Sequence, residues 1–197
     1  MNELLADALA NQLLPLQQQG IITTLSGLVT LEETDAFSGE KNKALAYPVP
    51  VPKDGFQQKA IDWKLLLPDP KKKLIVFFEG HEYQQKMLAG IWQTKARLTM
   101  IAWYNGLLLK VNSRDEVAQN LVATIGANGR AMPPYNSGLN RIQLTGYGRV
   151  LSDPFTKYTA YNNLFNFRDR PYGWCAIDIS LTAYGTPVCA PELTDVI

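Results

Sequence analysis

Glu79-Gly80-His81-Glu82 is the stretch of this 197-residue chain that sets an imidazole beside carboxylates, and His81 is its only histidine. These residue types could make a small metal or acid–base site. Zinc wants three or four ligands, usually with more than one His or Cys, so the stretch reads instead as a hydrophilic turn after an apolar strand. A serine or cysteine nucleophile needs a base, and no candidate nucleophile has a motif beside His81. There is no G-x-S-x-G, no phosphate loop and no G-x-G-x-x-G. Gly146-Tyr147-Gly148 lies inside an apparent strand, where it is poorly placed to cradle a phosphate. Glu32-Glu33 could run glycoside chemistry as a carboxylate pair, but it reads as the solvated start of a loop. Lys71-Lys72-Lys73 reads as a gatekeeper run protecting a sticky strand. Cys175 and Cys189 have no CxxC spacing and read as free thiols of a reducing compartment. The expectation is a protein that is not an enzyme, with no catalytic residues, no metal site and no cofactor.

The totals agree with a folded protein. Hydrophobic residues make up 46% and charged residues 19% of the chain, an ordinary and a somewhat low figure. A chain of this length fits one domain and buries roughly 70% of its unfolded surface, so it folds without disulfide or metal. Nineteen basic against 18 acidic residues leave a formal net charge of +1, which is no electrostatic footprint for specific nucleic-acid binding. Nine Tyr, seven Phe and four Trp with few charges leave room for contact faces. Residues 1–16 carry Glu3 and Asp7 and no basic residue, so they lack the basic start of a signal peptide. No apolar run reaches the roughly 20 residues of a membrane span. The expected place of synthesis is the cytoplasm, with no membrane partner.

The elements follow from periodicity and punctuation. Leu4, Leu5, Ala8, Leu9 and Leu13 recur at helical spacing behind Asn2, which predicts a helix over 2–14 ended by Pro15 and Gly20. Residues 21–31 read as a strand with Gly27 as a bulge. Pro48, Pro50 and Pro52 alternate, so their missing N–H groups all fall on one side. That segment is an edge strand or a polyproline arm, and 44–53 is expected to extend from the domain. Residues 56–67 show no clear pattern. Residues 74–78 predict a short buried strand and 97–104 another. Asn105-Gly106 is the strongest hairpin signal, with 107–111 as the returning strand. Ser113-Arg114-Asp115-Glu116 matches a capping box ahead of a helix whose stripe is Val117, Leu121, Val122 and Ile125, ended by Gly126. A long loop is expected over 127–140, strands over 142–151 and 172–184, a helical turn near 163–167 between them, and a tail over 190–197. The whole, 1–197, is expected to be a single α+β domain: a mostly antiparallel sheet with an N-terminal helix and one further helix packed on it.

The segment Asn162-Asn163-Leu164-Phe165-Asn166-Phe167, followed by Arg170-Pro171-Tyr172-Gly173-Trp174 and a last long strand, resembles the closing element of tailed-phage tail-terminator and head–tail joining (neck) proteins. The element order is similar over most of the chain. The resemblance implies a structural subunit of a tailed-phage or phage-like particle. It would form an oligomeric ring with copies of itself, meet virion proteins such as the tail tube or connector, and reside in the virion after assembly in the host cytoplasm. The 44–53 arm and the 127–140 loop make this chain larger than a minimal member. Two other classes stay open: a cellular adaptor or ligand-binding module, and an enzyme with no recognisable motif.

Overall fold

The computed structural model describes residues 1–34, 45–51, 66–111, 113–126, 130–131, 139–159 and 171–185. Helix α1 (Asn2–Gln18) leads into strands β1 (Thr24–Thr34) and β2 (Leu45–Pro50), then a long pair, β3 (Leu74–Leu88) and β4 (Ile91–Asn105). A short helix α2 (Gly106–Leu109) and helix α3 (Arg114–Gly126) follow, then β5 (Arg130–Ala131), β6 (Leu139–Arg149), a 3₁₀ turn (Pro154–Lys157) and β7 (Tyr172–Gly185). The strands form one seven-stranded sheet in the order β2-β1-β3-β4-β7-β6-β5. Among the described strands only the β1–β3 pairing is parallel. This is the mostly antiparallel α+β class that the sequence predicts.

Helix α1 overruns its predicted end. Pro15 lies inside it, within its last turn and a half, where it removes one donor from the ladder and crowds the carbonyl four residues earlier without ending the helix. Its carbonyl still accepts from Gln19 N–H at 3.0 Å, and the chain leaves the helix at Gly20, whose φ of +69° suits glycine. The buried stripe Leu5, Leu9 and Leu13 holds the helix on the sheet. Two glycines let it come close. A Cβ on Gly27 would collide with Asp7, and one on Gly80 would meet Asn2. Asn2 instead reaches over Gly80 to donate from Nδ2 to the His81 carbonyl at 2.7 Å. The predicted bulge at Gly27 forms: the β1–β3 register shifts between Leu25 and Leu28.

The main departure from the sequence reading lies in the middle of the chain. The turn expected at 79–82 is strand: β3 continues for 15 residues and pairs with β4 on both sides of a register shift between Gly80 and Tyr83. The reversal is made by Ala89 and Gly90, both at positive φ (48° and 78°), the requirement of a two-residue type I′ turn. Asn105-Gly106 makes no hairpin, and 107–111 is not a strand. The Asn105 side chain accepts from the N–H groups of Leu107 and Leu108 and caps α2. Asparagine that supplies an αL residue to a turn is equally able to cap a helix. Tertiary contact decides between these uses here, because Asn105 Nδ2 also donates to the Pro70 carbonyl and Gly106 N–H to the Pro171 carbonyl.

Of the two readings of the proline segment, residues 45–50 take the edge strand. Val51 N–H donates inward to the Leu28 carbonyl while Pro48 and Pro50 sit on the alternate, outward phase with Ala46. Ala46 N–H uses that side to reach Thr159 Oγ1 at 2.7 Å. The extended arm expected from 44–53 is therefore, over its described part, sheet with Ala46 and Tyr47 buried. Within the expected 127–140 loop, Arg130–Ala131 adds a two-residue strand and β6 starts at Leu139. The Ser113 cap forms as read, with Ser113 Oγ accepting from Glu116 N–H at 3.2 Å.

The sheet carries a core on each face. On one, α1 and α3 pack over Leu74, Val76, Phe78, Leu98, Met100, Ile177 and Ile179. On the other, Leu66, Phe155 and Tyr158 cover Ile75, Phe77, Ile101, Trp103 and Ala176. The helix-side core runs on along β4, β7 and β6 to Ala96, Leu181, Ala183 and Ile142. The outer half of β3, from Tyr83 to the Ala89-Gly90 turn, lies beyond both covers and is exposed throughout that length.

Candidate functional site

Polar side chains gather on the second face where its cover stops. Alternation along β3 puts Glu79 two residues beyond Phe77, on the face of Phe155 and Tyr158. Asp153 Oδ1 accepts from Phe155 N–H at 2.8 Å and starts the 3₁₀ turn. That turn carries Lys157 and Tyr158 over the sheet. Both bond Glu79: the Lys157 ammonium to Oε2 and the Tyr158 hydroxyl to Oε1. The Glu79 side chain is 11% exposed and Lys157 is 47% exposed, so the carboxylate is enclosed and its cation half in water. The pair ties the cover to the sheet.

Strand register sets the next group. Glu79 pairs with Thr99, and Thr99 with Asp178. Thr99 Oγ1 donates to Asp178 Oδ1 at 2.5 Å and lies 2.6 Å from His81 Nε2. A hydroxyl has one proton. With that proton given to the carboxylate, His81 Nε2 must carry hydrogen and donate to Thr99. This is the reverse of nucleophile activation, in which the imidazole accepts the proton. Thr99 is 5% exposed, out of reach of a substrate. The arrangement cross-links β3, β4 and β7 where the β3–β4 register shifts between Gly80 and Tyr83. Arg97 Nε stands 4.0 Å from Asp178 Oδ2 at its margin.

The three residues that the sequence offered as a metal set are thus separated by role. Glu79 is turned into the second core, His81 serves Thr99, and Glu82 is exposed. Thr99, Asp178, Lys157 and Tyr158 escaped the sequence reading. One signal could have marked Asp178: a carboxylate between Ile177 and Ile179 breaks an otherwise apolar strand. Lys71-Lys72-Lys73 forms the turn into β3, with Lys72 Nζ donating to the Leu67 carbonyl at 2.9 Å. Gly146, Tyr147 and Gly148 lie within β6, as read, and Tyr147 is exposed. Glu32 and Glu33 belong to β1, not to a loop. Cys175 is free and buried, and burial pushes its thiol up to about 12. Cys189, Pro52 and the 162–167 stretch lie outside the described residues.

The uncovered outer half of β3, with its hairpin turn, is the other feature available for function. Cross-strand partners share a face. Tyr83 and Met87 therefore join Trp92 on the helix side, and Leu88 and Ile91 join each other on the opposite side. Tyr83, Met87, Leu88 and Ile91 are 44–50% exposed. No described helix is long and apolar enough to cross a membrane. The fold and these surfaces define an α+β protein on a mostly antiparallel sheet, with the outer half of β3 left uncovered. No model of a known protein family matches the chain, and no curated protein matches it.

Proposed function

We propose that the chain is a structural subunit of a tailed-phage or phage-like particle, a ring-forming tail-terminator or head–tail connector protein that works by docking. The observation that carries this reading is the bare β3–β4 hairpin, whose tip is apolar on both faces. Large side chains left half in water at the end of a projecting element mark a contact surface. An antiparallel hairpin braced by β7 is stiff enough to present it. The proline-bearing outer edge of β2 disfavours sheet-to-sheet addition there. Contacts between copies then fall to the hairpin, through its tip side chains and the outer edge of β3 beyond Glu79 that β1 leaves unpaired, in a heterologous interface that closes into a ring.

Mass measurement and negative-stain microscopy of the purified protein and of particles containing it test the reading. Closed rings of the wild-type chain are expected. The double variant Met87→Asp/Ile91→Asp should stay folded by circular dichroism and lose the ring. A wild-type chain that is monomeric alone and present in particles as an isolated copy defeats the proposal.

A second reading, a ligand-binding module, draws on a different observation. An open cleft of about 880 Å³ lies between α1, α2 and α3, with Leu16, Ile21, Val111 and Val117 in its lining. Its size is within the range of small-molecule sites. Specific, saturable uptake of an apolar probe that leaves the oligomeric state unchanged would favour it.

A further inference from the structure

The hairpin end of the sheet sorts charge in a way that the chain as a whole does not. Residues 82–98, 139–145 and 180–185 contain four basic residues, Lys86, Lys95, Arg97 and Arg141, against one acidic residue, Glu82, which borders Lys95 and Arg97, within a chain of 19 basic and 18 acidic residues. Register puts all four on the second face. Lys86 pairs with Gln93, Gln93 with Tyr184 and Tyr184 with Arg141, making one row across four strands. Lys95 lies in the next row, between Gln84 and Thr182, and Arg97 in the one after. Strand spacings of about 4.8 Å and residue pairs of about 6.8 Å put Lys86 roughly 8 Å from Lys95 and roughly 14 Å from Arg141. Arg97 has Asp178 nearby. The other three are exposed and form no ion pair among the described residues.

We propose that this face binds the phosphate backbone of nucleic acid without reading its sequence. The positions between the cations are amides and hydroxyls, which together with Lys and Arg are the side chains that hold phosphate and sugar oxygens. Apart from the Tyr184 ring, the rows hold no large apolar side chain on this face short of Leu88 and Ile91 at the tip. That composition suits a hydrated polyanion. A protein interface core is poor in lysine, and a bilayer contact needs apolar side chains to insert. The near-neutral net charge conceals the patch because acidic residues elsewhere in the chain balance it, and register alone brings Arg141 to the three hairpin cations.

Fluorescence anisotropy of a short labelled DNA duplex with the full chain tests the proposal. Engagement of three phosphates predicts a log–log salt slope of roughly −3, or roughly 40-fold weaker binding at about 200 mM than at about 50 mM salt. Lys95→Gln and Arg141→Gln should each reduce the slope by roughly one. Both are exposed substitutions, so an unchanged thermal melt certifies the fold. Duplex binding absent at low salt, or a slope indifferent to both variants, overturns the proposal. So does capture by phosphatidylserine vesicles or poly-glutamate in place of the duplex, which would assign the face to a membrane or an acidic protein. Ring formation, read by mass on the same samples, reports separately on the assembly reading, because the duplex contact requires only one copy.

Discussion

Strand β3 passes through two environments, and the contrast between its halves explains the molecule. From Leu74 to Phe78 every residue is buried whichever face it points to, because helices cover one face and the Phe155–Tyr158 segment the other. From Tyr83 to Leu88 every residue is exposed, although pairing to β4 resumes beyond the register shift at Gly80–Tyr83 and runs to Leu88. The first half is paired on both edges, to β1 and to β4, and the second to β4 alone, so the cover and the second neighbouring strand are lost together. The covered half supplies the hydrophobic stabilisation. The bare half is held by its ladder and by attachment to the covered half, and its side chains are available for partners. Glu79, Thr99, His81 and Asp178 stand at the boundary, where a polar face still has protein above it but no apolar cover.

The largest expected effect is in the covered half. Phe77→Ala should cost about 3–5 kcal/mol by urea denaturation, since Phe77 is fully buried between Phe155 and Tyr158. A loss near the ~0.5 kcal/mol of a surface change would break the comparison. The second effect is pH-dependent. Burial holds the Cys175 thiol at about 12 against an ordinary value of 9.0, with Arg114 and Arg149 pulling it down more weakly. The folded state keeps the proton that the unfolded state releases. Stability from this group is complete below pH 9 and falls as pH rises toward 12, by about 1.4 kcal/mol per unit. Denaturation midpoints at about pH 8 and about pH 10 should separate more for wild type than for Cys175→Ala. Equal separations would show that the thiol is not shielded. The smallest effect belongs to the bare half. Ala89 holds a φ of 48° without the side-chain or glycine chemistry that such a turn favours. Ala89→Asn should therefore stabilise the protein by about 0.5–1 kcal/mol. A loss of stability there would mean that the turn carries contacts not expected of a free tip.

The strength of each sequence signal tracked how local its cause was. Ser113 capped α3 as predicted because an N-cap needs only the next three residues. Gly27 made its bulge, and the alternate prolines took an edge. The 89–90 hairpin was missed because Ala-Gly is a weak form of a signal that Asn105-Gly106 carries in full. The strand beyond Phe78 was read as a turn because an exposed strand loses the apolar alternation by which strands are recognised. The polar group was illegible for another reason: Tyr158 lies 79 residues from Glu79, and Asp178 lies 79 residues from Thr99.

Composition and periodicity alone determined that this chain folds as α+β with a mostly antiparallel sheet, where its second long helix begins, and that the 48–50 segment cannot sit inside the sheet. These depend on backbone chemistry and on neighbours within a few residues. Tertiary structure decided whether Asn105 turns a hairpin or caps a helix, which of Glu79, His81 and Glu82 is enclosed, and that four scattered cations share a face. Each of those outcomes depends on which strand lies alongside and in what register. A one-residue slip would send every side chain to the opposite face.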